Sequence, residues 1–372
     1  MKCVTVSNFF PAHQGGLEIV VGELMTRMAH DGMSIDWFAG APSPPPDLTP
    51  PRLRFHGVSA CNWLEDKFGI PMPVWYPSGI WELAKAIRKA DLVFINDCLY
   101  ASSWIAWTFA RLSCKKILLL QHIDEIPYRS KIMTTLMLFG YRLSARVILR
   151  GSSQVVFCSR KVERYFHKKF PFLKNTIHIS NGVDVDVFKP DERNTLSARP
   201  RILFAGRFVE RKGLDIIHKL AVNLPGCDWI FAGWGVIDPS SWGLKNVKVV
   251  GRFERKAMAQ LYRDSDLLIL PSVGEGFPLV VQEAISCGLP VLVSRETASG
   301  DPRAQNFLMV AELTVSGFEQ AVRAFLQRRH QELEPALRRR RHDFAIAHWS
   351  WDKSVQAYMQ AFKNILESGA PR

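Results

Sequence analysis

The sequence predicts an α/β protein built twice over, and three observations carry that prediction. Its 372 residues suffice for two domains at about 150 residues each. Short, nearly continuous apolar runs alternate with longer amphipathic segments, the pattern of parallel strands covered on both faces by helices. A polar stretch bracketed by prolines, Val187–Pro200, reads as a linker near the middle of the chain. With 47% apolar and 22% charged residues, the chain can build sizeable cores and is too apolar for disorder.

The first series of strands is expected at 2–7, 34–39, 92–96, 116–121, 154–158 and 176–180. Val20, Leu24 and Met28 mark the apolar stripe of the first intervening helix. The proline-rich stretch Ala41–Pro51 reads as a loop. The second series is expected at 201–205, 228–232, 247–250, 267–270 and 290–293. Trp349–Phe362 reads as a final amphipathic helix that can cross back to the first domain. The expected domains are therefore 1–188 and 189–349, with a C-terminal helix in 350–372.

Composition narrows the chemistry. The seven cysteines are odd in number, widely spaced and without a CxxC pair. That excludes a disulfide framework and a structural zinc site, and leaves buried thiols in a reducing compartment. Met1–Ser7 enters a strand at once, with no signal-peptide pattern, and no apolar run approaches the length needed to span a bilayer. The expected location is cytoplasmic. The net charge of +13 admits a nucleic acid, an anionic membrane or an acidic substrate.

Open α/β sheets bind ligands beyond the carboxyl ends of their strands, beside helix N-termini. Two such sheets facing each other imply a cleft between domains. Four segments occupy those positions. The first, Phe10–Glu18, follows the first strand, and Gly15 and Gly16 would let the backbone approach an anion; a glycine cap is the plain alternative. The second, Gly206–Gly213, holds Arg207 and Lys212 before a helix. Two cations at a helix N-terminus are unfavourable without an anion. A diphosphate would suit the fork of Arg207 and the point charge of Lys212. A solvated basic loop is the alternative, and Arg211 fits that role.

The third segment runs Pro271-Ser272-Val273-Gly274-Glu275-Gly276-Phe277-Pro278, with Glu283 on the following helix. Carboxylates at Glu275 and Glu283, with Gly276 and Pro278 shaping the turn, suit hydroxyls of a sugar and a ribose. A glycosidase-like acid and nucleophile pair competes, but the cations favour a phosphorylated ligand. The fourth, Gln121–Glu125, puts His122 just past a strand end, where it could meet a sugar hydroxyl or developing charge. A structural histidine is the alternative. Asp124 is a candidate cap, and Asn96 and Asp97 are candidate acceptor contacts.

Taken in order, these segments resemble family 4 of the retaining glycosyltransferases, which have the GT-B fold of two facing Rossmann-like domains separated by a cleft. The resemblance also includes Asn181-Gly182-Val183-Asp184, Lys212-Gly213-Leu214-Asp215, Glu283-Ala284, Gly288-Leu289-Pro290-Val291 and Ser350-Trp351. It implies a retaining transferase that moves a sugar from a nucleotide-diphospho-sugar to a glycan or lipid-linked acceptor, in cell-surface polysaccharide or glycolipid synthesis. UDP-, GDP- and ADP-sugars all stay open as donors. Arg207 and Lys212 would hold the diphosphate, and Gly15 and Gly16 would approach it from the first domain. Glu275, with Gly276, Phe277 and Pro278, would meet the transferred sugar, and Glu283 the ribose. His122 would face the reacting side. The resemblance implies no cofactor and no essential metal. Asp184-Val185-Asp186 spells a DxD metal motif, but beside the hinge signature and away from the phosphate loops.

Two segments depart from the family pattern. Ser294–Pro302 replaces a glycine pair followed by Pro-Glu, and Trp234 stands where a small or acidic residue is usual. The charge is also uneven. Arg111–Lys174 carries fourteen basic and three acidic residues, most of the net excess. Within it, Lys131–Arg150 combines bulky apolar residues with Arg142, Arg146 and Arg150, as a helix lying on anionic lipid would; an ordinary packed helix with a basic edge is the alternative. Peripheral attachment to a membrane is the expectation. A sugar-nucleotide epimerase or hydrolase, and a non-enzymatic nucleic-acid-binding protein, are the competing readings. The second needs a recognition module that the sequence lacks, so no nucleic-acid partner is expected.

Overall fold

The apolar run Leu92–Asn96 is buried at every position, as a strand covered on both faces must be. In the computed structural model it lies at the middle of a seven-stranded parallel sheet. The structure describes residues 1–11, 16–40, 50–61, 73–123, 131–191 and 197–368, and the backbone alone for 131–139. The chain divides into two compact units, one of Met1–Ser180 with Ser354–Arg372, the other of Asn181–Lys353.

In the seven-stranded sheet of the first unit the strands are β1 (Lys2–Val6), β2 (Ser34–Gly40), β3 (Leu53–Val58), β4 (Leu92–Asn96), β5 (Lys116–Gln121), β6 (Gln154–Phe157) and β7 (Thr176–His178). Their order is β3-β2-β1-β4-β5-β6-β7. Helices α1 (Gly16–His30), α2 (Pro77–Arg88), α3 (Ala101–Leu112), α4 (Lys131–Gly151) and α5 (Arg160–Lys169) connect them. Leu83, Ala106, Ile148 and Phe166, from α2 to α5, share one core with Val4 and Ile117. Strand β3 escaped the sequence reading. It is an edge strand whose polar residues are held by a neighbour: Arg54 Nε and His56 Nε2 lie 2.8 and 3.2 Å from Asp36 Oδ1 on β2.

The second unit holds β8 (Arg201–Phe208), β9 (Asp228–Gly235), β10 (Val247–Gly251), β11 (Leu267–Leu270), β12 (Val291–Ser294) and β13 (Leu308–Ala311). They form a parallel sheet in the order β10-β9-β8-β11-β12-β13. Its helices are α6 (Leu214–Asn223), α7 (Arg255–Asp264), α8 (Leu279–Ser286), the single turn α9 (Arg295–Ala298), α10 (Val315–Glu332) and α11 (Pro335–Trp349). Strand β13, at the sheet edge with Val310 exposed, was not expected from the sequence. The last helix, α12, spans Trp351–Glu367, a shift from the expected start at Trp349, because Ser350 breaks the helical run. Its Tyr358 and Phe362 meet Phe94 of β4 edge-on, with ring centroids 6.0 and 5.8 Å away.

Five cysteines are buried, but Cys61 and Cys114 are exposed, which corrects the expectation that all are interior. Among the described residues no helix is long and apolar enough to cross a membrane.

Candidate active site

Strand order in the second unit reverses beside β8: β9 and β10 lie to one side, β11 to β13 to the other. Loops leaving the carboxyl ends of β8 and β11 therefore diverge, and such a switch point is where open α/β sheets hold ligands. The two loops are tied together. The Val273 N–H donates to the Arg211 carbonyl at 2.9 Å. Gly213, at φ 71°, opens α6, and a Cβ there would collide with the Pro271 carbonyl. Only glycine fits that turn.

This packing brings together two residues marked in the sequence. Lys212 Nζ lies 2.7 Å from Glu275 Oε1, with both side chains largely buried. Pairing offsets the cost of removing two charges from water. Arg207 is exposed and stands on β8 itself, paired in register with Trp234. This corrects the expected strand end at residue 205. The strand continues because Gly233 and Gly235 let the backbones close up; a Cβ at either would strike the Gly206 or Phe208 carbonyl. Trp234 in turn carries the Arg252 guanidinium 3.4 Å from its ring centroid, a cation–π stack.

Glu283 projects from α8 and accepts the Tyr262 hydroxyl at 2.9 Å. Burial pushes its carboxyl pKa up, against the hydrogen bond from Tyr262. Pro278 caps the start of α8. The Phe277 ring packs with its centroid 5.4 Å from that of Trp349, so the side chain serves the core. Sequence reasoning missed Tyr262: it looks like one more apolar position of α7, and only the fold gives its hydroxyl a partner.

In the first unit the order reverses between β1 and β4. Gly16 is the exposed first residue of α1; Gly15 and Asp124 lie outside the described residues. His122 follows β5 and is buried. Burial drives its imidazole pKa down to about 3, so the ring is neutral at ordinary pH. Its Nε2 has no hydrogen-bond partner among the described residues.

Beside it, Asp97 adopts φ 68° and is fully buried. Its carboxylate accepts Gln121 Nε2 at 3.0 Å and Leu99 N at 3.1 Å, with a further backbone bond from His122. Burial nevertheless raises its pKa to about 6. Asn96 donates to the Val6 carbonyl at 2.9 Å. Both side chains thus turn into the fold, which corrects their reading as acceptor contacts.

The DxD candidate is local structure. Asp184 Oδ1 accepts the Val187 N–H at 3.3 Å, and Oδ2 lies 3.8 Å from Arg255. Among the described residues no three His, Cys, Asp or Glu side chains gather as a metal site.

Two family models match the chain. Residues 14–187 match "Glycosyltransferase Family 4" and residues 199–328 match "Glycosyl transferases group 1". The chain belongs to the GT-B glycosyltransferases related to family 4. The sucrose-phosphate synthase of Thermosynechococcus elongatus superposes on this glycosyltransferase with a TM-score of 0.81 at 18% identity, over 99% of this chain and 100% of that one. Anabaena HepE, solved in complex with UDP, gives 0.75 at 14% identity, over 98% and 100%. Both likenesses show the GT-B fold. Among curated relatives, the D-inositol 3-phosphate glycosyltransferase of Mycolicibacterium smegmatis is 27% identical over 212 residues, 50% of this chain and 46% of that protein. The match thus spans about half the length of that relative.

Proposed function

We propose that this glycosyltransferase moves a sugar, with retention of configuration, from a nucleotide-diphospho-sugar to a glycan or lipid-linked acceptor. The observation that carries this reading is the pairing of Lys212 with Glu275 at the β8–β11 switch point, with Arg207 exposed on the same strand end. A diphosphate supplies the anion that these cations call for. Arg207 and Lys212 would stabilise the charge on the departing diphosphate, an electrostatic contribution made where charge develops. Glu275 would meet sugar hydroxyls, with the backbone of Gly276, Phe277 and Pro278 beside it, and Glu283 would take the ribose hydroxyls.

In this reading the domain beginning near residue 189 binds the donor, and the domain of residues 1–188 presents the acceptor. Gly15 and Gly16 would be the first domain's candidates for contact with the phosphates. His122, neutral through burial, offers an imidazole to the reacting sugar without adding charge. The acceptor hydroxyl adds to the anomeric carbon on the face that the diphosphate leaves, and its proton goes to the departing phosphate oxygen. No metal enters, because two side-chain cations stand where it would.

The complex of HepE with UDP and the phosphorylated acceptor named for the mycobacterial relative support a sugar nucleotide as donor and an anionic acceptor. A cytoplasmic protein held at an anionic membrane fits the exposed Arg142, Arg146 and Arg150 of α4, with Leu143 54% exposed among them. On α2 of the same unit, Trp81 is 56% exposed, with Lys85 5.8 Å from its ring. Aromatic and basic side chains of this kind suit a headgroup surface. The apolar residues of 132–139 that belong to this reading lie where side chains are not described.

Product analysis with UDP-, GDP- and ADP-sugars against lipid and glycan acceptors tests the function. Transfer with retained anomeric configuration is expected. Hydrolysis or epimerisation alone, on every acceptor tried, would replace this reading with the competing one.

A further inference from the structure

The loop that carries Glu275 is gripped by the segment in which this sequence departs from its family. Three close contacts, with the Thr297 hydroxyl 3.5 Å from Ser272 besides, tie Ser294–Gly300 to Ser272–Gly276. Ser294, which caps α9 by accepting Thr297 N, donates its hydroxyl to the Ser272 carbonyl at 2.8 Å. Glu296, on the single turn of α9, accepts the Gly274 N–H on Oε1 at 2.9 Å. Gly300 lies so close that a Cβ there would collide with the Gly276 carbonyl. The middle contact is charge-assisted, the stronger kind of hydrogen bond. It acts on Gly274, at φ 71°, a left-handed turn that sets the direction of the next residue, Glu275.

Glu296 is thus one residue away from Glu275 through backbone, and its carboxylate is spent on an amide. An added negative charge beside Glu275 does nothing by itself for a diphosphate ligand. Its use is to fix the turn that aims Glu275 at Lys212.

We propose that Glu296 is a positioning residue for the donor sugar: by holding the Gly274 amide it orients Glu275. This rests on the reading of Glu275 as the sugar contact. Because Glu296 acts through the turn, its loss changes recognition of the sugar more than that of the diphosphate, which meets Arg207 as well as Lys212.

The test uses the full chain with Glu296→Ala, Glu296→Ser as a second truncation, and Glu296→Gln, whose amide oxygen still accepts from Gly274. Amide exchange over residues 272–277 is followed by mass spectrometry. Titration calorimetry compares UDP-, GDP- and ADP-glucose with the matching free diphosphates. Both truncations are expected to lose protection in this loop. They are also expected to lower the preference for nucleotide sugar over free diphosphate by about tenfold. Glu296→Gln restores both. Unchanged protection or an unchanged preference in the truncations overturns the role of Glu296. If the unmodified protein binds no nucleotide sugar, the proposed function fails, and the exchange comparison still decides whether Glu296 holds the loop.

Discussion

The two units repeat one architecture and furnish it differently. Each has a parallel sheet whose order reverses beside its first strand, and each places polar residues at the strand ends there. In the first unit those residues are buried: His122 is held neutral, with its pKa near 3, and Asp97, its pKa raised to about 6, keeps its charge at pH 7 but turns it into the fold. In the second unit the charge is kept, in the Lys212–Glu275 pair and in exposed Arg207. The same sheet topology therefore carries buried polar groups turned inward in one unit and, in the other, the charged residues proposed to meet a diphosphate. Topology provides the opening, and desolvation against pairing decides its electrostatics.

The largest expected effect comes from discharging the charged seat. Replacing Arg207 and Lys212 together by Ala should lower kcat/KM for transfer by about a thousandfold. Steady-state kinetics reads this, and undiminished turnover contradicts the leaving-group role. A second contrast lies in the bulk positive charge, which sits on the helices of the first unit. Reversal of Arg142, Arg146 and Arg150 to Glu should weaken partitioning onto anionic vesicles by about a hundredfold or more, at roughly 1 kcal/mol per basic residue near the surface. Flotation that is equally strong after the reversal removes the proposed membrane contact.

The buried polar groups of the first unit can be probed by pH. His122 has a folded pKa of about 3 against an ordinary 6.5. Its stabilising contribution is present above 6.5 and is lost as pH falls toward 3. Asp97 is raised from 3.8 to about 6. Its contribution is fully present below 3.8 and is lost as pH rises through 6. Each slope is about 1.4 kcal/mol per pH unit, and the two oppose each other between about pH 4 and 6. Asp97→Asn should leave stability rising with pH across that window, and His122→Gln should leave it falling. Urea unfolding at pH 4 and 6 measures both; parallel curves in the two variants would contradict the burial account.

The smallest effect is expected at Glu283, where Gln keeps an acceptor for the Tyr262 hydroxyl but loses the charge. Donor KM should rise about tenfold, the worth of one hydrogen bond to an ionised group. Because burial raises the Glu283 pKa, its ionisation costs stability as pH rises. The amide escapes that cost, so the variant should unfold no earlier than the parent at pH 8. A large loss of stability instead would make Glu283 a core residue first.

Much of this was legible in the residues. Leu92–Asn96 and Leu267–Leu270 declare themselves as central strands because both faces of a parallel sheet are covered. Gly213 and the eight-residue spacing of Glu275 and Glu283 mark the loops beyond those strands. What escaped was set by neighbours distant in sequence. Strand β3 carries Arg54 and His56, polar residues that fit a strand only because Asp36 waits beside them. Arg207 was expected in a loop, and glycines 26 and 28 residues later on β9 extend its strand instead. Asp97 looked available to an acceptor until its carboxylate was found facing Gln121.

By itself the sequence determined which segments alternate, which loops carry glycine, cation and carboxylate, and hence the class of ligand. Those are properties of local spacing and side-chain chemistry. Tertiary structure decided the protonation of His122 and Asp97, the partnering of Lys212 with Glu275, and the grip of Glu296 on Gly274. Each depends on how much water the fold removes and on which distant group it brings within hydrogen-bond reach, and neither is encoded in the spacing of residues along the chain.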